Sequence, residues 1–191
     1  MPDMDIRLIV GLGNPGPEYA LTRHNAGFMI LDNLAGKLNV KFENYKGLAE
    51  YAKTAVSGND IYLAKPQKFM NLSGRVLQNL AGFFKIKPSE ILVCYDDISL
   101  DLGVLRLRPD GSSGGQKGMQ NIIDMLGTQQ IPRLRFGVGP KPEKRDAADF
   151  VLSKFPKSAD VLLSQAVITA AEAAEFCVIN GLEKAMNKFN G

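Results

Sequence analysis

The chain has 191 residues, 45% of them hydrophobic, with a formal net charge of +3, two cysteines and one histidine. That length suits one domain with a sizeable core, and no apolar run approaches the roughly 18 residues of a membrane span. One histidine and two cysteines without C-x-x-C spacing exclude a closed zinc site of the usual kind. The N-terminal MPDMDIRLIV does not read as a signal peptide, which leaves a reducing cytoplasm as the simplest compartment.

In chain order, Ile6 to Gly11 reads as a buried central strand. The stretch that follows, GLGNPGPEYALTRHN from Gly11 to Asn25, holds the only histidine, His24, so any proton transfer by imidazole must use it. Asn14, His24 and Asn25 then lie in a loop at the carboxyl end of a strand, where open α/β sheets bind ligands. The bland alternative is a sharp turn with an incidental surface histidine. Gly11, Gly13 and Gly16 match G-x-G-x-x-G, but Pro15 and Pro17 flank the third glycine and prevent a helix from starting there. Asp32 falls inside a predicted helix rather than at the end of a second strand, so a dinucleotide loop is not expected.

Phe28, Leu31, Leu34, Ala35 and Leu38 recur at helical spacing, predicting a helix over 25–39 with Asn25 as its cap. Val40 to Tyr45, Leu48 to Val56 and Ile61 to Ala64 read as strands of an antiparallel edge, separated by Gly47 and by the turn from Ser57 to Asp60. After Lys65-Pro66, KPQKFMNLSG leads into a helix over 71–84, with Phe69, Val76, Leu77, Leu80 and Phe84 as its apolar stripe. Asn71 is either the cap of that helix or an amide that binds a developing oxyanion; Phe69 and Met70 are core or pocket wall.

EILVCY, from Glu90 to Tyr95, is a strongly apolar strand in which Cys94 reads as a buried small hydrophobe. Asp96 and Asp97 stand at its carboxyl end, either to support a histidine base or simply to form a turn. Val104 to Arg108 is a further strand. The loop from Pro109 to Gly118, PDGSSGGQKG, runs into a helix over 120–126; its glycines either suit phosphate or simply make a flexible loop, and Met119 breaks the Walker spacing. Arg133 to Val138 alternates as RLRFGV with both Arg on one side. The tail from Ala159 to Phe176 is Ala-rich and periodic through Val161, Leu162, Gln165, Ala166, Ile168, Thr169, Ala173 and Phe176, and reads as a long packing helix. Gly181 ends it before a last short helix.

Charge is uneven along the chain. Between Gly103 and Arg145 eight Lys/Arg oppose three acids, a net of +5, while the remainder carries −2. Such asymmetry suggests a basic face for a polyanion, although solvated strand edges also carry Lys and Arg.

GLGNPGPEYALTRHNAG, KPQKFMNLSG, Asp96 followed by Leu100 and Gly103, GSSGGQKG, RLRFGVG and FVLSKF come in the order and spacing of bacterial peptidyl-tRNA hydrolase, which the chain resembles along essentially its whole length. The resemblance implies a monomeric, single-domain α/β fold over residues 1–191, a twisted mixed sheet flanked by helices, with no metal and no cofactor. It implies hydrolysis of the ester joining a peptide to the 3′ ribose of tRNA. By motif position His24 resembles the general base that activates water, Asp96 the carboxylate that holds that base, and Asn14 the amide that recognises an N-blocked peptidyl group. Tyr19, Phe69 and Asn71 fall on positions that contact the peptide and the tRNA 3′ end.

No G-x-S-x-G elbow is present, so direct attack by water is the economical mechanism. The chain departs from the family where Gly-Gly-His-Asn-Gly is usual and Gly114-Gly115-Gln116-Lys117-Gly118 stands. Lysine has no acceptor, so Lys117 cannot copy an asparagine contact; it suits a tRNA phosphate, and Gln116 offers an amide in its place. The alternative reading is a non-catalytic RNA-binding protein on the same fold.

Overall fold

The computed structural model describes residues 5–191. The leader expectation therefore rests in part on residues 1–4, which lie outside the described residues.

In chain order the elements are β1 (Leu8–Gly11), α1 (Ala26–Lys37), β2 (Glu43–Tyr45), β3 (Ala49–Val56), β4 (Asn59–Pro66), α2 (Ser73–Phe84), β5 (Ile91–Asp101), β6 (Leu105–Arg108), α3 (Lys117–Leu126), β7 (Arg133–Gly139), α4 (Ala147–Val151), α5 (Asp160–Asn180) and α6 (Leu182–Phe189). The strands form one sheet in the order β2-β3-β4-β1-β5-β7-β6. Its centre is parallel, with β1 between β4 and β5 and with β7 beside β5. Both margins are antiparallel, β2-β3-β4 at one side and β6-β7 at the other. This is the mixed α/β sheet expected, with the predicted antiparallel edge.

Alternation along the central strands divides the core. Ile9, Leu92, Cys94, Leu134 and Phe136 face α1, α5 and α6, whereas Leu8, Val10, Ile91, Val93 and Tyr95 face α2 and α3. Covered on both faces, β1 and β5 are apolar throughout their shared length, as interior parallel strands must be. Cys94 and Cys177 are free and buried, and burial pushes both thiols up, that of Cys177 to about 12.

Four sequence expectations need correction. Asp96 and Asp97 are not at the end of β5, which continues to Asp101. β5 parts from β1 after the Gly11–Cys94 pair and goes on along β7 alone, so Asp96 is mid-strand yet stands where the sheet first opens. Second, α3 starts at Lys117, three residues early, because Gln116 caps it. Third, α5 extends to Asn180 and presents a different face: Ala166, Val167, Ala170, Ala171, Ala173, Ala174 and Cys177 are buried, while Val161 is 72% exposed and Leu162 and Ile168 are also outward. Small residues allow the close packing of α5 on α1. Fourth, Lys157–Asn180 is, by length and composition, long and apolar enough to cross a membrane, against the expectation above. Nearly half of that stretch is buried, and it serves as a core helix here.

Two glycine contacts place the site. A Cβ on Gly27 of α1 would lie 2.3 Å from Leu12 N and 2.4 Å from Cys94 O, so α1 starts directly against β1 and β5. A Cβ on Gly74 of α2 would lie 2.2 Å from Asn121 O, which draws α3 against α2. Of the fingerprint glycines, Gly11 packs on Gly27 and Gly13 on the Phe28 ring, Gly16 turns the chain at a positive φ of 113°, and no α-helix starts between Gly11 and Ala26.

Candidate active site

The carboxyl ends of β1 and β4 and the middle of β5 open into one cleft of about 450 Å³. Asn14 and His24 line it from the loop after β1, Phe69, Met70 and Asn71 from the segment after β4, and Asp96 and Asp97 from β5. Ser113 to Lys117 line it from the glycine-rich loop, and Ala147, Ala148, Val151 and Leu152 form an apolar wall on α4.

His24 sits in a single 3-10 turn, Arg23–Asn25, immediately before α1. It is buried, and its Nδ1 lies 2.8 Å from Asp96 Oδ2. A carboxylate accepts only, so Nδ1 carries the proton and Nε2 is the lone-pair nitrogen of the neutral ring. Among the described residues Nε2 has no partner, and the one buried side-chain polar atom without a partner is Arg23 Nε. His24 Nε2 is therefore open to the cleft.

Asn14 is locked by a reciprocal pair: its N–H donates to Asn25 Oδ1 at 2.9 Å, and Asn25 Nδ2 donates to its carbonyl at 2.9 Å. Asn25 thus occupies the position expected of a cap but caps nothing; its amide fixes the neighbouring loop instead. Asn14 Oδ1 accepts from Met70 N–H at 2.7 Å, which turns its Nδ2 donor toward the cleft. Asn71 is exposed in the 3-10 turn Met70–Leu72, with no side-chain hydrogen bond; it does not cap α2, and its whole amide is available. Phe69 belongs to no core stripe. It is 57% exposed at the rim, where the Tyr19 ring packs edge-on at 6.4 Å. Tyr19 touches the cleft only through Phe69.

Lys117 is exposed at the mouth on the first turn of α3. Gln116 is not available to a ligand: its Nε2 lies 3.1 Å from Asp96 Oδ1 and its Oε1 accepts from Met119 N–H. Asp97 pairs with Arg135 at 2.5 Å and accepts from Ser99 N–H and Oγ. Burial pushes the Asp97 carboxyl up, but the bonds from Ser99 and Arg135 outweigh it and hold the group below its ordinary value.

The basic segment is smaller than its sequence count. Arg133 is buried, and its guanidinium donates to the carbonyls of Ile131, Gly111, Ser112 and Gln129. Burial pulls its pKa down, yet the arginine stays charged on four carbonyl oxygens. With Arg135 paired to Asp97, neither arginine of RLRFGV is free for a polyanion. Lys144, Arg145 and Arg108 remain exposed. Sequence reasoning missed the roles of Asn25, Arg133 and the α4 wall; a reciprocal Asn–Asn pair flanking one tight loop was the available signal for the first.

A family model described as peptidyl-tRNA hydrolase matches residues 8–191. A peptidyl-tRNA hydrolase of Elusimicrobium minutum is 68% identical over 185 residues, covering 97% of this chain and 99% of its own. One from Desulforamulus reducens is 48% identical, with 97% and 89% covered. The crystal structure of peptidyl-tRNA hydrolase from Acinetobacter baumannii superimposes with a TM-score of 0.93 at 34% identity, covering 100% of this chain and 97% of that one. Matched from its first strand to its last residue, the chain belongs to the peptidyl-tRNA hydrolase family.

Proposed function

We propose that the cleft hydrolyses peptidyl-tRNA with a water molecule activated by His24. The enzyme cleaves the link between peptide and tRNA, as its family and its relatives do. The observation that carries the mechanism is the 2.8 Å bond from His24 Nδ1 to Asp96, which leaves Nε2 facing a cleft that also presents the Asn14 and Asn71 amides. Water hydrogen-bonded to Nε2 attacks the ester carbonyl and gives its proton to the ring. Asp96 stabilises the imidazolium that forms. The carbonyl oxygen becomes an oxyanion, for which the Asn71 amide is the accessible donor. Collapse expels the 3′ oxygen of the ribose, which takes the proton back from His24. An ester has a better leaving group than an amide, so no protein nucleophile is required.

Asn14 Nδ2, oriented by Met70 N–H, suits the carbonyl of an N-blocked aminoacyl group. The exposed Phe69 face, braced by Tyr19, suits stacking with the terminal base or packing on the peptide. Lys117 suits a phosphate of the acceptor stem, a contact that adds affinity without reading sequence. We assign the enzyme to the cytoplasm, where its substrate is made, and to action as a monomer, since every group invoked comes from one chain. Incubation with an N-acetyl-aminoacyl-tRNA tests the reading. Wild-type protein releases the acyl group and His24→Ala does not; release by His24→Ala at the wild-type rate refutes His24 as the base.

A further inference from the structure

We propose that Gln116 is a positioning residue for this reaction, holding the Asp96 carboxylate in line with His24 through a group that is uncharged at every working pH. The inference rests on the reading of His24 and Asp96 given above. Gln116 is buried, and both ends of its amide are committed. Oε1 accepts from Met119 N–H at 2.7 Å, which caps α3. That bond fixes the orientation of the amide, because the reversed amide would set N–H against N–H and oxygen against the carboxylate. Nε2 therefore points at Asp96 Oδ1, 3.1 Å away, and at Met70 Sδ, 3.3 Å away.

Each oxygen of Asp96 thus has its own donor, His24 on Oδ2 and Gln116 on Oδ1. One bond would leave the carboxylate free to rotate about its Cβ–Cγ axis; two bonds from opposite sides do not. The second bond also ties the position of the carboxylate to the start of α3, which Gly74 holds against α2. The charged and titratable groups around the pair are few. β5 contributes Tyr95 and Asp97, the latter paired with Arg135 of β7. The glycine-rich loop and α3 contribute Lys117 at the mouth, α4 contributes only Ala147, Ala148, Val151 and Leu152, and Lys68 after β4 and Arg23 beside His24 do not line the cleft. With a neutral amide at position 116, the sole histidine is the one cleft side chain of a type that titrates between about pH 5 and 8. The acid limb of the kcat profile is therefore the readout that separates a charge at position 116 from a change in packing.

Gln116→Glu separates this role from helix capping. Glutamate keeps an oxygen for Met119 N–H at a helix N-terminus, so the cap survives. Its other oxygen meets Asp96 as a second acceptor. On an N-acetyl-aminoacyl-tRNA, kcat at pH 7 falls about tenfold to a hundredfold, the weight of a hydrogen bond to a charged group. KM changes by less than about twofold, the thermal midpoint is retained, and the acid limb moves to higher pH because the added negative charge favours the imidazolium. Gln116→Met removes the donor without adding charge: kcat falls over the same range with the limb in place. A Glu variant with wild-type kcat and limb overturns the proposal. So does a loss of rate in the Glu variant that follows a loss of thermal stability with the limb unmoved, which marks a structural role only. If His24→Ala proves active, the general-base reading fails instead, and the two failures are distinguishable.

Discussion

Two glycine-rich loops enter the cleft, one between β1 and α1 and the other between β6 and α3. In the first, backbone and Asn25 bonds hold the loop while Asn14 Nδ2 and His24 Nε2 remain free. In the second, the buried polar side chains turn inward: Gln116 goes to Asp96 and the α3 cap, Ser113 goes to Gln120, and Arg133 holds the loop's base by the carbonyls of Gly111 and Ser112. Both loops have the composition of a ligand-binding segment. What separates them is which atoms are already spent, and that is a property of partners far away in sequence.

The two loops meet at Asp96, so Asp96→Asn disturbs both and has the largest expected effect. Asparagine retains the shape but cannot stabilise an imidazolium, and its NH₂ opposes one of the two donors. We expect kcat to fall about a hundredfold to ten-thousandfold with binding of deacylated tRNA unchanged. A rate within about threefold of wild type would show that neither loop acts through this carboxylate.

Arg133→Met tests the second loop alone. Its removal leaves four carbonyl oxygens of a partly buried site without their charged donor, a loss of roughly 2 to 3 kcal/mol. Urea unfolding measures it. Unchanged stability would mean that the loop is held by its turn geometry and that the guanidinium is dispensable.

The first loop was largely legible in the sequence, because its parts are local. A strand, a break at Pro15 and Pro17, the sole histidine and a helix onset all fall within about twenty residues. The second was not. Whether the Gln116 amide faces the cleft or the core depends on Asp96, twenty positions earlier, and on Met119 N–H. The alternation of Arg133 and Arg135 puts both on one face, as expected, but period alone cannot tell that carbonyl oxygens and Asp97 wait on that face. α5 misled for a related reason. A helix apolar on nearly every side has no single stripe, and the alanines that permit close approach to α1 win over the larger Val161 and Leu162.

Asp97, adjacent to Asp96, gives a smaller effect that separates structure from chemistry on one strand. Its carboxyl is held below the ordinary carboxylate value, so the unfolded state binds its proton first as pH falls. The stability it contributes is complete above the unfolded pKa of about 3.9 and is lost as pH drops through the lower folded value. Asp97→Asn should be less stable than wild type at pH 7 by urea unfolding, and the gap should close in strong acid. A gap that persists there would place the contribution in packing rather than in the charge.

Lys117→Ala is expected to have the smallest effect and tests whether the second loop offers anything outward. Lys117 is exposed, lines the mouth and has no carboxylate partner among the described residues. If it meets a phosphate, its loss removes one counterion-releasing contact. KM should rise about threefold to tenfold with kcat retained, and the slope of log affinity against log salt should flatten by about 0.7 to 0.9. Arg133→Met, whose charge is already spent on carbonyls, should leave that slope unchanged. Equal slopes for wild type and Lys117→Ala would assign tRNA docking to other cations, with Lys144, Arg145 and Arg108 next to be tested.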